Sequence, residues 1–179
     1  MPVTPFHFGA GLAAKAVLPR HFGFLAFCTA NILIDVEPLY YILTGQYPLH
    51  RFFHTLPGAI IVSLCTVVLF WILKIAWAWL GWGNRLTRFE FKPSAVWLGA
   101  LSGTISHVFL DSIVHGDVHP FSPFSQANPF LGWFSISQVQ TFLTLMGVLG
   151  MGGWMLHLLL LRLTKETALN PHEKNRKTS

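Results

Sequence analysis

Within GTISHVFLDSIVH, His107, Asp111 and His115 recur every four residues. Four residues advance a helix by about 400°, so successive members differ by only about 40° around the axis and form one stripe. His50 and His54 in HRFFH share that spacing, if the stretch is helical. Asp35 and Glu37 stand two apart, which on a straight helix points them to nearly opposite sides. Pro38 follows at once, disfavours helical backbone at Glu37 and removes a donor. A break at 36–38 is therefore expected, with locally extended backbone that lets both carboxylates reach one cavity. Neutral imidazoles and carboxylates in this mixture are ligands for a divalent cation.

The setting of these residues strengthens that reading. Asp35, Glu37 and Asp111 lie inside long apolar stretches, with His107 among them. An aspartate at the centre of a bilayer costs about 2.5–3.5 kcal/mol on insertion scales, so it faces a bundle interior and finds a partner. No lysine or arginine falls at the depth of Asp35 or Asp111. One or more divalent ions, with zinc favoured, would neutralise both.

Each signal also has a plainer explanation. His107 with Asp111 could be a polar clamp between helices, and Asp35 with Glu37 a structural pair bonded to Ser, Thr or Asn. HRFFH could be interfacial aromatics with a solvated His-Arg pair. His7 alone would be an ordinary polar residue near a terminus, and gains weight from the others. The cluster His115, Asp117 and His119 reads equally as extra ligands or as a polar helix exit. His21, His157 and His172 lie away from this group and are expected to be inert. Cys28 and Cys65 sit in apolar runs without zinc or redox spacing. HExxH, GxSxG and Walker sequences are missing, which favours a metal-activated water over a covalent intermediate.

The elements that must carry these groups are membrane helices. Of 179 residues, 53% are hydrophobic and only 11% charged, with mean hydropathy +0.52. A soluble domain has about 25% charged residues, so an ordinary soluble enzyme, a disordered chain and a disulfide scaffold are excluded. Four stretches, about 22–44, 57–82, 94–115 and 137–161, reach the roughly 20 apolar residues that span a bilayer. A shorter helix over about 5–18 precedes them and does not resemble a signal peptide. The expected fold is an all-α polytopic membrane bundle of four transmembrane helices plus that N-terminal helix, its first span broken near Pro38. Residues 1–164 form the membrane-embedded metal-site domain and 165–179 a polar cytoplasmic tail.

Alternating spans put Arg20, Arg85, Arg88, Lys92, Arg162, Lys165, Lys174, Arg176 and Lys177 on one side and Arg51 on the other. That asymmetry makes the basic side cytoplasmic and turns loops 45–56 and 116–136 outward. Lys15 and Lys74 lie near the basic side and can snorkel to it. Trp77, Trp79 and Trp82 fit an aromatic belt there. The ligand candidates then sit toward the outer leaflet, and a helix running inward from an outer-half site to Pro19 would place His7 beside them.

Taken in order, TPFHFGAG, IDVEP, HRFFHT and GTISHVFLDSIVHGDVHPFSP resemble the bacterial YdjM-like inner-membrane proteins, LexA-regulated and described as metal-dependent hydrolases. The likeness covers roughly residues 4–123, with the last span as a further apolar match. It implies His7, Asp35, His54, His107 and Asp111 as metal ligands, with His50 and Glu37 as ligands or as groups behind them. In one respect the chain departs from the pattern: the acidic pair often reads Asp-x-Asp followed by His, against Asp-Val-Glu-Pro here.

Together these readings predict a membrane-embedded hydrolase, whose metal-activated water attacks a phosphoester or lipid-like substrate from the outer side. Glu37 would act as general base or hold a second ion, and Arg51 would clamp an anionic group. His50 would assist within the catalytic set. FSPFSQANPFLGWFS is rich in Phe and Trp, which suits contact with membrane lipid and guidance of such a substrate. No nucleic-acid partner is expected. Alternatives are a metal or proton transporter, whose polar path should cross the whole membrane, and a structural protein with a metal staple.

Overall fold

A computed structural model describes residues 4–80 and 91–169. Among these, all regular structure is helical. A 3-10 turn, Thr4–His7, leads into α1, Phe8–Val17. The first span is α2, Phe24–Ile34, followed by α3, Val36–Leu43. Next come α4, Leu56–Trp79, α5, Pro93–Val114, and α6, Ile136–Leu169. Four spans, Phe24–Leu43, Leu56–Trp79, Pro93–Val114 and Ile136–Thr164, are long and apolar enough to cross a membrane. α6 continues to Leu169, so the first residues of the expected tail are helical. Trp82, Arg85, Arg88, Lys174, Arg176 and Lys177 lie outside the described residues.

The first span breaks at Asp35, not at 36–38. Pro38 has no N–H for the carbonyl of Ile34, and its ring would collide with that carbonyl. The ladder therefore fails one turn before the proline, and restarts where Leu39 N donates to Asp35 O at 3.1 Å. Asp35 sits at φ −78°, ψ −6°, a turn conformation, and Glu37 is helical. The expected extended backbone is thus corrected to a one-residue turn, which re-aims the two carboxylates just as effectively.

Small residues set how closely the helices approach. On α5, a Cβ at Gly99 would strike the carbonyl of Gly23, and one at Gly103 would crowd Phe27 and Asn31 of α2. Gly99 and Gly103 are four apart, and the same four-residue steps continue to His107 and Asp111. One face of α5 therefore begins as a close seam with α2 and ends as a pair of ligand candidates. At a second seam, Gly9 of α1 faces the backbone of Leu143, and Gly150 of α6 faces Leu12 and Ala13. Such small-residue contacts bring backbones together where lipid offers no hydrophobic drive. Between α4 and α5, Ser63 and Thr104 bond hydroxyl to hydroxyl at 2.7 Å.

The helices alternate, so loops 44–55 and 115–135 share one end of the bundle. Leu56 N donates to Pro120 O at 2.8 Å across these loops. At the opposite end Gly23 N donates to Ala95 O at 3.0 Å. Lys15 does not snorkel: it is buried, and its Nζ donates to Phe22 O at 2.9 Å. Two apolar clusters flank the loop end, one of Ile34, Ala59, Val62 and Val108, the other of Ile113, Val139 and Leu143. Lipid-facing residues such as Ile60, Leu64, Val68, Leu145 and Leu149 are exposed on α4 and α6.

Candidate metal centre

Three elements deliver four ligand candidates to one point. Asp35 comes from the break in the first span, and His107 and Asp111 from the buried stripe of α5. His54 comes from the turn before α4. One donor atom from each of these four residues lies within 4.8 Å of the other three. His107 Nε2 is 3.2 Å from Asp35 Oδ1 and 3.3 Å from Asp111 Oδ2. His54 Nε2 is 3.6 Å and 3.5 Å from the same two oxygens.

HRFFH is not helical. His50 and His54 still meet edge to face, with ring centroids 4.6 Å apart, because Glu37 folds the loop. Its carboxylate accepts from Arg51 N at 3.3 Å, Phe52 N at 3.0 Å and Phe53 N at 2.8 Å. Glu37 Oε2 also lies 3.9 Å from His54 Nδ1. Thr55 then caps α4, its Oγ1 accepting from Gly58 N at 3.1 Å, with Pro57 in the first turn where no N–H is missed. Sequence spacing alone could not reveal this loop, whose fold depends on an acceptor 14 to 16 residues away.

His7 adjoins the four-residue set. Its Nε2 is 3.4 Å from Asp111 Oδ1, and its ring stacks on His107 at 4.3 Å. Arg51 turns elsewhere. Its Nε donates to Pro48 O at 3.0 Å, it reaches Gln46, and its guanidinium lies 3.7 Å from the Tyr41 ring centroid. The described contacts of Arg51 therefore bind loop 44–55 together and do not include the ligand cluster. His50 faces Asp111 with Nε2 at 3.8 Å and Asp117 with Nδ1 at 2.9 Å. His119 Nδ1 donates to Gln126 O at 2.8 Å, away from the group.

One contributor escaped the sequence reading. Asn31 is fully buried, and its Nδ2 donates to Phe27 O at 2.8 Å. That fixes Oδ1 toward His107 Nδ1 at 2.9 Å. His107 thus carries its proton on Nδ1 and presents a lone pair on Nε2. Metal-bound histidines are commonly oriented this way. The available signal was a polar residue four before Asp35 in an otherwise apolar run.

The donor set fits a cation. Both ring nitrogens of His7 and His54, His107 Nε2 and Asp111 Oδ1 are buried without a hydrogen-bond partner among the described residues. Buried polar atoms in native proteins are nearly always satisfied, so this concentration of orphans needs an explanation. The charge balance agrees. Burial opposes a charged His54, yet the carboxylates of Asp111, Asp35 and Glu37 outweigh it and push its pKa up to about 10. The pocket calls for positive charge, which a divalent ion supplies. Asp35 is the least buried of the four, with 27% of its side chain exposed, against 5% or less for the others.

The family of YdjM inner membrane proteins matches residues 4–169. The chain belongs to that family. Its four apolar helices and this membership make it an integral inner membrane protein. The YdjM-family match extends through α6, whereas the motif likeness stopped near residue 123. No curated protein and no solved structure matches the chain.

Proposed function

We propose that this YdjM-family chain is a metal-dependent hydrolase acting on a phosphoester or lipid-like substrate. The observation that supports it is the convergence of one donor atom each from Asp35, His54, His107 and Asp111, among which His54 Nδ1 and Nε2, His107 Nε2 and Asp111 Oδ1 are buried without a hydrogen-bond partner among the described residues. Two imidazoles and two carboxylates suit zinc, although other first-row divalent ions accept the same donors. When bound there, such an ion polarises a scissile bond and lowers the pKa of a coordinated water toward neutrality.

The chain's own residues have separable tasks. Asn31 orients His107, and Glu37 holds the turn that carries His54. Asp35, at the exposed edge, forms the threshold past which substrate reaches the centre. Phe124, Trp133 and Phe134 are exposed on loop 115–135 and suit lipid contact at the same end of the bundle. Arg51 has no part in the reaction on this reading. We also infer that this end faces the periplasm and the C-terminus the cytoplasm, supported by the nine-to-one partition of lysine and arginine.

One feature favours a second reading, a structural staple: four protein donors can close a zinc site completely, whereas catalytic zinc keeps a position open. Cobalt-substituted protein separates the two. An exchangeable position shifts its visible spectrum when small anions are added, and a closed site does not respond. For hydrolysis itself, detergent-purified protein is offered chromogenic phosphoesters and phospholipid. Turnover that a chelator removes, and that disappears in His107→Ala/Asp111→Ala, is expected. A metal-loaded chain inert toward both substrate classes and blind to anions overturns the proposal.

A further inference from the structure

Asp111 belongs to two groups of donors. Besides the four-residue set, donor atoms of His50, Asp111 and His115 also lie within 4.8 Å of one another. His50 is buried, and its Nδ1 is held by Asp117 Oδ1 at 2.9 Å. Asp117 is itself fixed, since its Oδ2 accepts from Leu49 N at 3.0 Å and His50 N at 3.2 Å. The carboxylate thereby leaves only Nε2 of His50 for a ligand, and that atom faces Asp111 Oδ2 at 3.8 Å. The ring of His115 stacks on His50 at 4.6 Å, at 29° between planes. Asp111 is the shared wall: its Oδ2 lies 3.3 Å from His107 Nε2 of the first set and 3.8 Å from His50 Nε2 of the second.

The arrangement repeats that of the first set. There, Asn31 ties the Nδ1 of His107 and leaves Nε2 to the cluster. Here, Asp117 does the same for His50. Two imidazoles with an oxygen behind Nδ1, each aimed at the same carboxylate, are what two neighbouring ions bridged by that carboxylate would require.

We propose that His50, His115 and Asp111 hold a second divalent cation, so that the centre is dinuclear with Asp111 as the bridging carboxylate. The proposal rests on the metal reading of the first set. A two-ion centre offers a phosphoester a clamp on both the attacking and the leaving oxygen, which a single ion cannot give. It also assigns the HGDVH segment: His115 as ligand, Asp117 as the residue that positions His50, and His119 as a bystander engaged with Gln126.

The test is metal stoichiometry on the full chain in detergent, loaded with zinc and desalted, with manganese-loaded samples for electron paramagnetic resonance. Wild type should hold about two ions and give a spin-coupled manganese spectrum. His115→Ala should hold about one and give the uncoupled six-line signal. Asp117→Asn should retain one ion and need more metal to fill the other, whereas His119→Ala should match wild type. Circular dichroism confirms that each variant is folded, and His50→Ala replaces His115→Ala if that variant is not. One ion in wild type, or two in His115→Ala, overturns the dinuclear centre alone. No metal in folded wild type overturns the first site with it.

Discussion

His107 Nδ1 lies 2.9 Å from Asn31 Oδ1, and this contact turns the opposite nitrogen of the ring onto Asp35 and Asp111. The amide cannot flip without losing its own bond to Phe27 O. Removing the partner of a metal-bound histidine typically costs about 10–100-fold in affinity. Asn31→Ala should therefore fold, bind metal, and release it to a chromophoric chelator at about 10–100-fold lower chelator concentration than wild type. Unchanged competition would mean that the contact only packs α2 against α5.

Glu37 organises the loop that carries His54. Each backbone N–H bonded to a charged acceptor is worth about 1.5–3 kcal/mol, and Glu37 accepts three. Glu37→Ala should free the 50–55 loop, raising amide hydrogen exchange at Arg51, Phe52 and Phe53 and weakening metal binding through His54. Glu37→Gln keeps an acceptor and should recover part of both. If Glu37 were a general base, Glu37→Gln would abolish turnover while exchange stayed at the wild-type level.

Arg51 makes the contrasting case. Its guanidinium is engaged by Pro48, Gln46 and the Tyr41 face. Arg51→Ala should leave metal content unchanged and alter hydrolysis by less than about threefold, with a stability loss of about 0.5–1 kcal/mol from the exposed cation–π contact. A rise in KM specific to anionic substrates would instead support the expectation that Arg51 grips the substrate.

Bulk at the α2–α5 seam should damage the centre from a distance. Overpacking typically costs about 1–3 kcal/mol, and at Gly99 the obstacle is the backbone of Gly23. Gly99→Val should lower the melting temperature in detergent and, by wedging α5 from α2, part His107 from Asp35 and weaken metal binding. Gly152 has nothing within 4 Å of an added Cβ, so Gly152→Ala is the matched control and should change neither.

Stripping the ion should cost stability as well as activity. A ligand at about 100 times its Kd stabilises the folded state by about 2.7 kcal/mol. Chelated protein should melt lower than metal-loaded protein, and His107→Ala/Asp111→Ala should show no such difference.

Local periodicity made much of this structure readable. The four spans, the N-terminal helix and the ladder of His107 and Asp111 follow from helix pitch and apolar length, and the observed ends fall within a few residues of those expected. Pro38 announced a break, but the broken hydrogen bond lies a turn before a proline, which moves the bend to Asp35. What could not be read depends on partners remote along the chain. Glu37 reaches Phe53 across 16 positions and Asp117 reaches His50 across 67. Neither leaves a periodic trace, so the shape of HRFFH and the direction of Arg51 were not legible. Asn31 was legible in principle, as a polar residue one turn from Asp35.

The run from Gly99 through Gly103 to His107 and Asp111 makes interhelical fit and ion capture a single geometric variable. An extra residue between Gly103 and His107 would swing both donors by about 100° around the axis while the glycines stayed in place. Between Gly99 and Asp111 the helix therefore behaves like a key whose blade and bow are cut from one blank.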